Sequence, residues 1–368
     1  MRLLDIVTPD ALAAYWVENP LNDVENDPSL MLFPAKKVAN TELEYYIGQK
    51  TAVAPLKPSS FDSIPMLRYR AGVEVQKAHM PFFREMMHMT ETERIELTKL
   101  QNKGDVFFQA MLDRIYDDAE ELRKAAMLCA KIMRYQLLNA IGGTPAVTIG
   151  ATSAAGKTDN VIFAQSYDPS GTYASSRYTT INDASKYWSV PSTSTPIDDL
   201  QAVIDTLEAA GCDTSMITLL MNKVTFNYLK ASAQVKGIYV QGSNGNAIVR
   251  ANDAMVRDVL RSELNAEVII ENGQYKGYDG NQHKFYADGY VTVIAGSQAV
   301  GSTAYGLTAE ELDAQAIQDG TVAMVDGLFA LASKVEAGPP VKESIWAAQT
   351  VAPTYEGMWN TAVIKVTA

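Results

Sequence analysis

The sequence predicts an α+β protein of two lobes. Three observations carry that reading: a pair of period-two segments at residues 40–56 and 65–83, a helical periodicity sustained over residues 105–139, and an alternating helix and strand block that begins at Thr195. In the first segment Leu43, Tyr45 and Ile47 alternate with Glu42, Glu44 and Tyr46. In the second, Leu67, Tyr69, Ala71, Val73 and Val75 alternate with Arg68, Arg70 and Glu74. Alternation of this kind marks half-buried strands. The 368 residues are 47% hydrophobic and 20% charged, enough apolar mass to bury a core and divide into lobes.

Taken in order, residues 1–35 join a short apolar stretch (11–17) to the polar runs Asn19-Pro20-Leu21-Asn22-Asp23 and Glu25-Asn26-Asp27-Pro28. Such a segment reads as an arm that gains order by lying on something else. The two alternating segments follow and form one long hairpin. Its tip is irregular, because Pro55, Pro58, Ser59, Ser60, Ser63 and Pro65 interrupt any ladder. A lone two-stranded ribbon is marginal in water, so this one needs a neighbour. Glu42 and Glu44 facing Arg68 and Arg70 read as cross-strand pairs, as contacts to another subunit, or as solvated charge. Together with Phe61 they are the candidate interface residues. Met80, Met86, Met87 and Met89 read as filler beneath the long helix, with an adaptable contact surface as the alternative.

A capping box, Thr90 with Glu93, opens a short helix. The long helix starts after Gly104 with Asp105 as N-cap and carries Phe108, Leu112, Ile115, Ala119, Leu122, Ala126, Met133 and Leu137 on one face. Gly142, Gly143 and Pro145 stop it. At 1.5 Å per residue it is about 50 Å long and must span something extended. A strand at 146–150 leads into a Ser-, Gly- and Thr-rich region of irregular sheet and loops that ends near Thr195. Beyond it lie a helix with Pro196 at its first position, a strand at 216–221, helices at 225–231 and after Asn252, and strands at 268–270 and 290–295, an alternating α/β lobe. After Gly338-Pro339-Pro340 a final strand, Ala362 to Val366, closes on the first lobe.

Composition and motifs exclude several classes of function. A formal net charge of -12 with no basic run disfavours a tight grip on nucleic acid. The start has no apolar core of a signal peptide and no stretch has the length of a spanning helix, so cytosolic synthesis and no membrane partner are expected. Gly150-Ala151-Thr152-Ser153-Ala154-Ala155-Gly156-Lys157-Thr158 imitates a phosphate-binding loop. That loop needs four residues between its glycines so that consecutive N–H groups wrap one phosphate; here there are five, and Asp159 to Phe163 does not read as a helix. His79, His88 and His283 are too scattered for a metal centre, and Cys129 and Cys212 read as buried thiols. The turn from Tyr275 to Asn281 lacks the ligand pattern of a calcium loop and reads as a β-turn. No cofactor, metal or catalytic residue is expected.

The order of these parts resembles the tailed-phage major capsid proteins of the HK97 fold, and within them the lambda-type major capsid protein family. The residues that carry the resemblance are Phe33-Pro34-Ala35-Lys36-Lys37-Val38 leading into Glu42-Leu43-Glu44-Tyr45, then Val53-Ala54-Pro55-Leu56. Further matches are the acidic start of the long helix, Pro196-Ile197-Asp198-Asp199-Leu200, Leu220-Met221-Asn222, and Gly301 to Tyr305-Gly306. The resemblance implies an N-terminal arm at 1–35, an extended loop at 36–88, a peripheral domain at 89–194 with its spine helix at 105–141, an axial domain at 195–330, and a return to the peripheral domain at 331–368. It implies copies that form hexamers and pentamers of an icosahedral shell enclosing double-stranded DNA without binding it tightly. The implied location is the virion capsid, assembled in the host cytoplasm, with a scaffolding protein, a portal and optionally a decoration protein as partners. An encapsulin-like compartment shell of the same fold, and a nucleotide-dependent enzyme built on Gly156-Lys157-Thr158, are the rival readings.

Overall fold

A computed structural model describes residues 27–40, 42–48, 73–89, 106–153, 157–242, 251–277, 279–312, 320–325, 327–336 and 342–368, together with Pro9, Thr92 and Ile95. In chain order it opens with helix α1 (Ser29–Leu32), strands β1 (Ala35–Lys37), β2 (Glu42–Gly48), β3 (Val73–His79) and β4 (Phe82–Met89), and helix α2 (Val106–Asn139). Next come β5 (Ala146–Ser153), β6 (Lys157–Ser166), α3 (Thr172–Ser176), β7 (Tyr178–Thr180), α4 (Pro196–Ala209) and β8 (Ile217–Met221). Helices α5 (Lys223–Ala231), α6 (Ala233–Gly242) and α7 (Asp253–Leu264) precede β9 (Ala266–Ile270), β10 (Gln274–Lys276), β11 (Gln282–Lys284) and β12 (Tyr290–Ala295). The chain finishes with β13 (Thr303–Gly306), α8 (Ala309–Leu312), β14 (Gly320–Val325), β15 (Phe329–Glu336), β16 (Lys342–Pro353) and β17 (Thr361–Lys365).

The chain divides into two compact units, one holding residues 1–44, 77–134 and 302–354, the other residues 45–76, 135–301 and 355–368. The first is built on a sheet of order β1-β13-β16-β15-β14, with β4 also paired to β16. Strand β16 is its axis: one edge holds β4 along Glu343 to Thr350 and then β13 along Thr350 to Pro353, while the other edge holds β15. The run Phe329, Ala330, Leu331 and Ala332 is at most 1% exposed, the continuous burial of a strand covered on both faces. On α2, Leu122, Ala126, Ala130 and Met133 are buried at spacings of three and four. The Gln349 amide of β16 donates to the Ala126 carbonyl at 2.7 Å, which ties helix to sheet.

The second unit is built on a sheet of order β7-β17-β12-β8-β9. Helices α4 and α7 bury Leu200, Val203, Ile204, Leu207, Val256, Val259, Leu260 and Leu264 in one core with Leu219 and Met221 of β8 and Val291 and Val293 of β12. Asn222 and Asn252 cap α5 and α7, each side chain accepting a hydrogen bond from the backbone N–H three residues on. Pro196 stands at the first position of α4, as its fixed φ and missing N–H favour.

Several expectations need correction. The final strand does not return to the first lobe: β17 lies between β7 and β12 in the second unit's sheet, with Val363 and Ile364 at most 1% exposed. Thr361 helps fix it there, because its hydroxyl meets the buried phenols of Tyr173 at 3.1 Å and Tyr355 at 2.8 Å. Residues 302–330, expected in the second lobe, belong to the first unit, where β13 and β14 pair with β16 and β15. Residues 135–194, expected in the first lobe, cluster with the second. The segment to Phe83 is not one continuous strand: β3 ends at His79 and Phe82 starts β4, which leaves the hairpin for the sheet of β16. The methionines therefore do not sit together under a helix. Met80 is buried against Gly306, where any Cβ would come within 2.6 Å of its terminal methyl, while Met86 on β4 is 49% exposed. Thr90 and Asp105 lie outside the described residues.

Past Asn139 the helix is stopped one step earlier than the glycines suggest. Ala140 itself takes the left-handed conformation at φ 35°, and Gly142 and Gly143 follow with positive φ. At Gly143 even the space is closed, since a Cβ would stand 3.0 Å from Ala174 and Tyr178.

Candidate assembly interface

Strands β2 and β3 form a two-stranded sheet of their own, the root of the expected ribbon. Leu43 points to the buried side, and its neighbours Glu42 and Glu44 point to the other. Glu44 accepts from the Lys77 ammonium at 2.5 Å and Glu42 lies 3.7 Å from His79 Nδ1, so both carboxylates meet basic side chains of β3. Lys77 has its pKa raised, chiefly by the hydrogen bond to Glu44. All four groups are more than half exposed, so these pairs steer the surface more than they stabilise it. Phe61, Arg68 and Arg70 lie outside the described residues.

Beside the ribbon in sequence, β4 presents a mixed strand. Arg84 stacks over Phe82 at 4.9 Å and reaches Glu310 of α8 at 2.5 Å; Glu310 is 4% exposed and also accepts the Trp346 indole N–H at 3.1 Å. Lys37 of β1 holds the adjacent Glu311 at 2.7 Å. Two basic side chains from two strands thus pin one short helix to the sheet.

The motifs weighed as chemistry resolve into structure. Where a phosphate-binding loop would open a helix, Lys157 opens strand β6, which pairs antiparallel with β5. His88 meets the Ser344 hydroxyl at 2.9 Å and His283 meets Asp279 at 2.9 Å, each in a separate local contact. The Cys212 thiol is buried and donates to the Trp359 carbonyl at 3.4 Å. In the turn between β10 and β11, Asp279 accepts from the Asn281 backbone and side chain and from His283, which together hold its carboxyl at about 2. Among the described residues no cluster of three His, Cys, Asp or Glu could hold a metal, and no helix is long and apolar enough to cross a membrane.

What sequence reasoning missed is the attachment of the arm. Asp27, 3% exposed, accepts from the Arg134 guanidinium at 2.9 Å and from the Ser29 hydroxyl at 2.5 Å, and Arg134 also donates to Ser29 at 2.8 Å. The signal was available in Asp27-Pro28-Ser29, an Asp set before a helix start, opposite a basic second half of α2.

The described residues hold one sheet built on β16, a second sheet packed with helices α4 and α7, and the separate two-stranded sheet of β2 and β3. The chain belongs to the phage major capsid protein E family, which matches residues 28–326. Its fold is that of the HK97-like capsids. It is similar over 98% of its length to 99% of a protein assigned as the capsid protein of an E. coli CFT073 prophage, at 13% identity and a TM-score of 0.58. A phage-related protein of Bordetella bronchiseptica RB50 matches 98% of the chain over 97% of its own, at 11% identity and TM-score 0.52. The capsid protein of cyanophage A-1(L) matches 92% over 91%, at 10% identity and TM-score 0.51. Comparison with curated protein sequences gave no match. The protein is a shell-forming phage capsid protein.

Proposed function

We propose that copies of this chain form hexamers and pentamers that close into an icosahedral shell around double-stranded DNA, a structural role without catalysis. The single observation that carries the detail is the ribbon of β2 and β3, a two-stranded sheet whose described charged face, Glu42, Glu44, Lys77 and His79, stands in solvent. A ribbon of that kind gains a covering neighbour only in an assembly. In this reading the ribbon lies on the adjacent copy, the unit around β16 and α2 is the peripheral domain, and the five-stranded unit is the axial domain. Many moderate contacts repeated around a ring then hold the shell by avidity.

The net charge of -12 suits a wall that must not trap the DNA it encloses. A separate scaffolding protein, a portal and an optional decoration protein complete the set of partners, with assembly in the host cytoplasm and residence in the virion. The phage family match favours this over a cellular compartment shell. Expression of the full chain with its scaffolding protein, followed by sedimentation and electron microscopy, tests the reading. Closed shells of uniform size are expected, and deletion of Pro58 to Ser63 is expected to leave folded subunits that fail to close them. Closed shells from the deleted chain would overturn the role given to the ribbon.

A further inference from the structure

We propose that residues 27–33 form a releasable strap, latched to α2 through the contact of Asp27 with Arg134, that can leave the helix without unfolding the sheet beneath it. The strap's own bonds are local. The Ser29 N–H donates to Asp27 Oδ1 at 3.1 Å, the Leu30 N–H to the Asp27 carbonyl at 3.0 Å, and the Phe33 N–H to the Ser29 carbonyl at 2.9 Å. These close a single turn, α1, too short to be stable by itself.

The polar ties from this turn to α2 converge on two side chains. Arg134 donates to Asp27 and Ser29, and Lys131, one turn earlier on the same helix face, stands 3.8 Å from the other Asp27 oxygen. From β13, the Thr303 hydroxyl accepts from Arg134 at 3.3 Å, and the Arg134 charge offsets part of the rise that burial gives the Tyr305 phenol. Ser29 from α1 and Lys131 and Arg134 from α2 face the carboxylate, and Thr303 of β13 meets Arg134 from behind. A carboxylate with no exposed side-chain surface, set against a guanidinium 3% exposed, is a contact whose loss leaves a buried charge behind.

The sheet side of the segment is held differently. Thr303 donates its N–H to the Pro34 carbonyl at 2.9 Å and its hydroxyl to the Phe33 carbonyl at 3.0 Å, after which β1 pairs with β13 from Ala35 to Lys37. The Pro34 bond and the β1 pairing are backbone bonds that do not involve Asp27, while the Thr303 hydroxyl bond to Phe33 is a side-chain tie at the end of the strap. Pro34, fixed in φ and lacking an N–H, separates the side-chain-latched part from the ladder-held part. Burial opposes ionisation of Asp27, but Ser29, Arg134 and Lys131 outweigh it and lower its pKa. The latch is therefore intact above the ordinary carboxylate range of about 4 and opens in acid as pH falls through the lowered value.

The test is peptide-resolved hydrogen exchange on the purified full chain at pH 7, comparing wild type, Asp27→Asn and Ser29→Ala. Asp27→Asn keeps the shape and removes the charge. Exchange over residues 27–34 is expected to rise about tenfold or more, with residues 345–352 and 256–264 unchanged, and Ser29→Ala should give a smaller rise in the same place. Unchanged protection at 27–34 would overturn the latch. A rise spread over all three segments, or an Asp27→Asn chain that fails to fold, would overturn the independence of the strap.

Discussion

Gln349 on β16 donates its side-chain amide to the main-chain carbonyl of Ala126, 2.7 Å away on α2. A helix carbonyl has a second lone pair beyond the one used by its own ladder, so this bond adds a tie without breaking the helix. Gln349 is 2% exposed, so the bond is shielded from solvent. Gln349→Ala removes the tie and opens a small cavity, and is expected to cost about 2 kcal/mol in denaturant melts. Gln349→Leu, which fills the space, should recover part of that loss.

Leu122 is 2% exposed on the face of α2 that packs in the first unit. Leu122→Asp puts an unpaired charge into that apolar layer, a penalty of about 3 kcal/mol or more, enough to exhaust a marginal domain. Insoluble or unassembled protein is expected. A normal yield of particles from this variant would place Leu122 on a solvent face.

Lys157 begins a strand of the β5 and β6 hairpin and no helix follows it. Lys157→Ala is expected to leave assembly unchanged, and isothermal titration of the wild type with ATP should show no saturable binding. Binding that disappears in the variant would support a nucleotide site.

The Glu44 and Lys77 pair tests whether the charged face of the ribbon meets another copy. In the free subunit the pair is more than half exposed, so Lys77→Glu should shift the melting midpoint little. If that face is covered in the shell, the same change weakens assembly, and sedimentation should show the defect shrinking as salt rises toward 1 M, where screening falls to about 3 Å. Equal assembly at every salt concentration would show that the face stays solvated.

Asp279 gives a pH prediction with a defined sign. Its carboxyl is held at about 2, first by the Asn281 side chain and then by His283. The folded value is depressed, so the turn's contribution is present above the ordinary carboxylate range and is lost as pH falls through about 2. A carboxyl carbon NMR titration should find a midpoint near 2 in the wild type. Asn281→Ala should move it up toward the ordinary value of about 3.9 and His283→Ala should move it less.

Much of this architecture was legible in the chain. The spacing of Leu122, Ala126, Met133 and Leu137 located α2, Pro196 located the start of α4, Asn252 the cap of α7, and the period-two runs the root of the ribbon. Each is a local signal, written within a few residues by sterics, capping or alternation.

Tertiary structure alone decided the partners. That β17 joins β7 and β12, that β4 leaves the hairpin for β16, and that Glu44 meets Lys77 are matters of register between segments far apart in sequence. Alternation says which face of a strand is apolar but not which strand it will lie beside, because any apolar face satisfies that requirement. The Asp27 latch is the clearest case. An acid before a proline looks like a solvated turn, and only the approach of Arg134 from 107 positions away makes it the buried carboxylate that holds the arm to the helix.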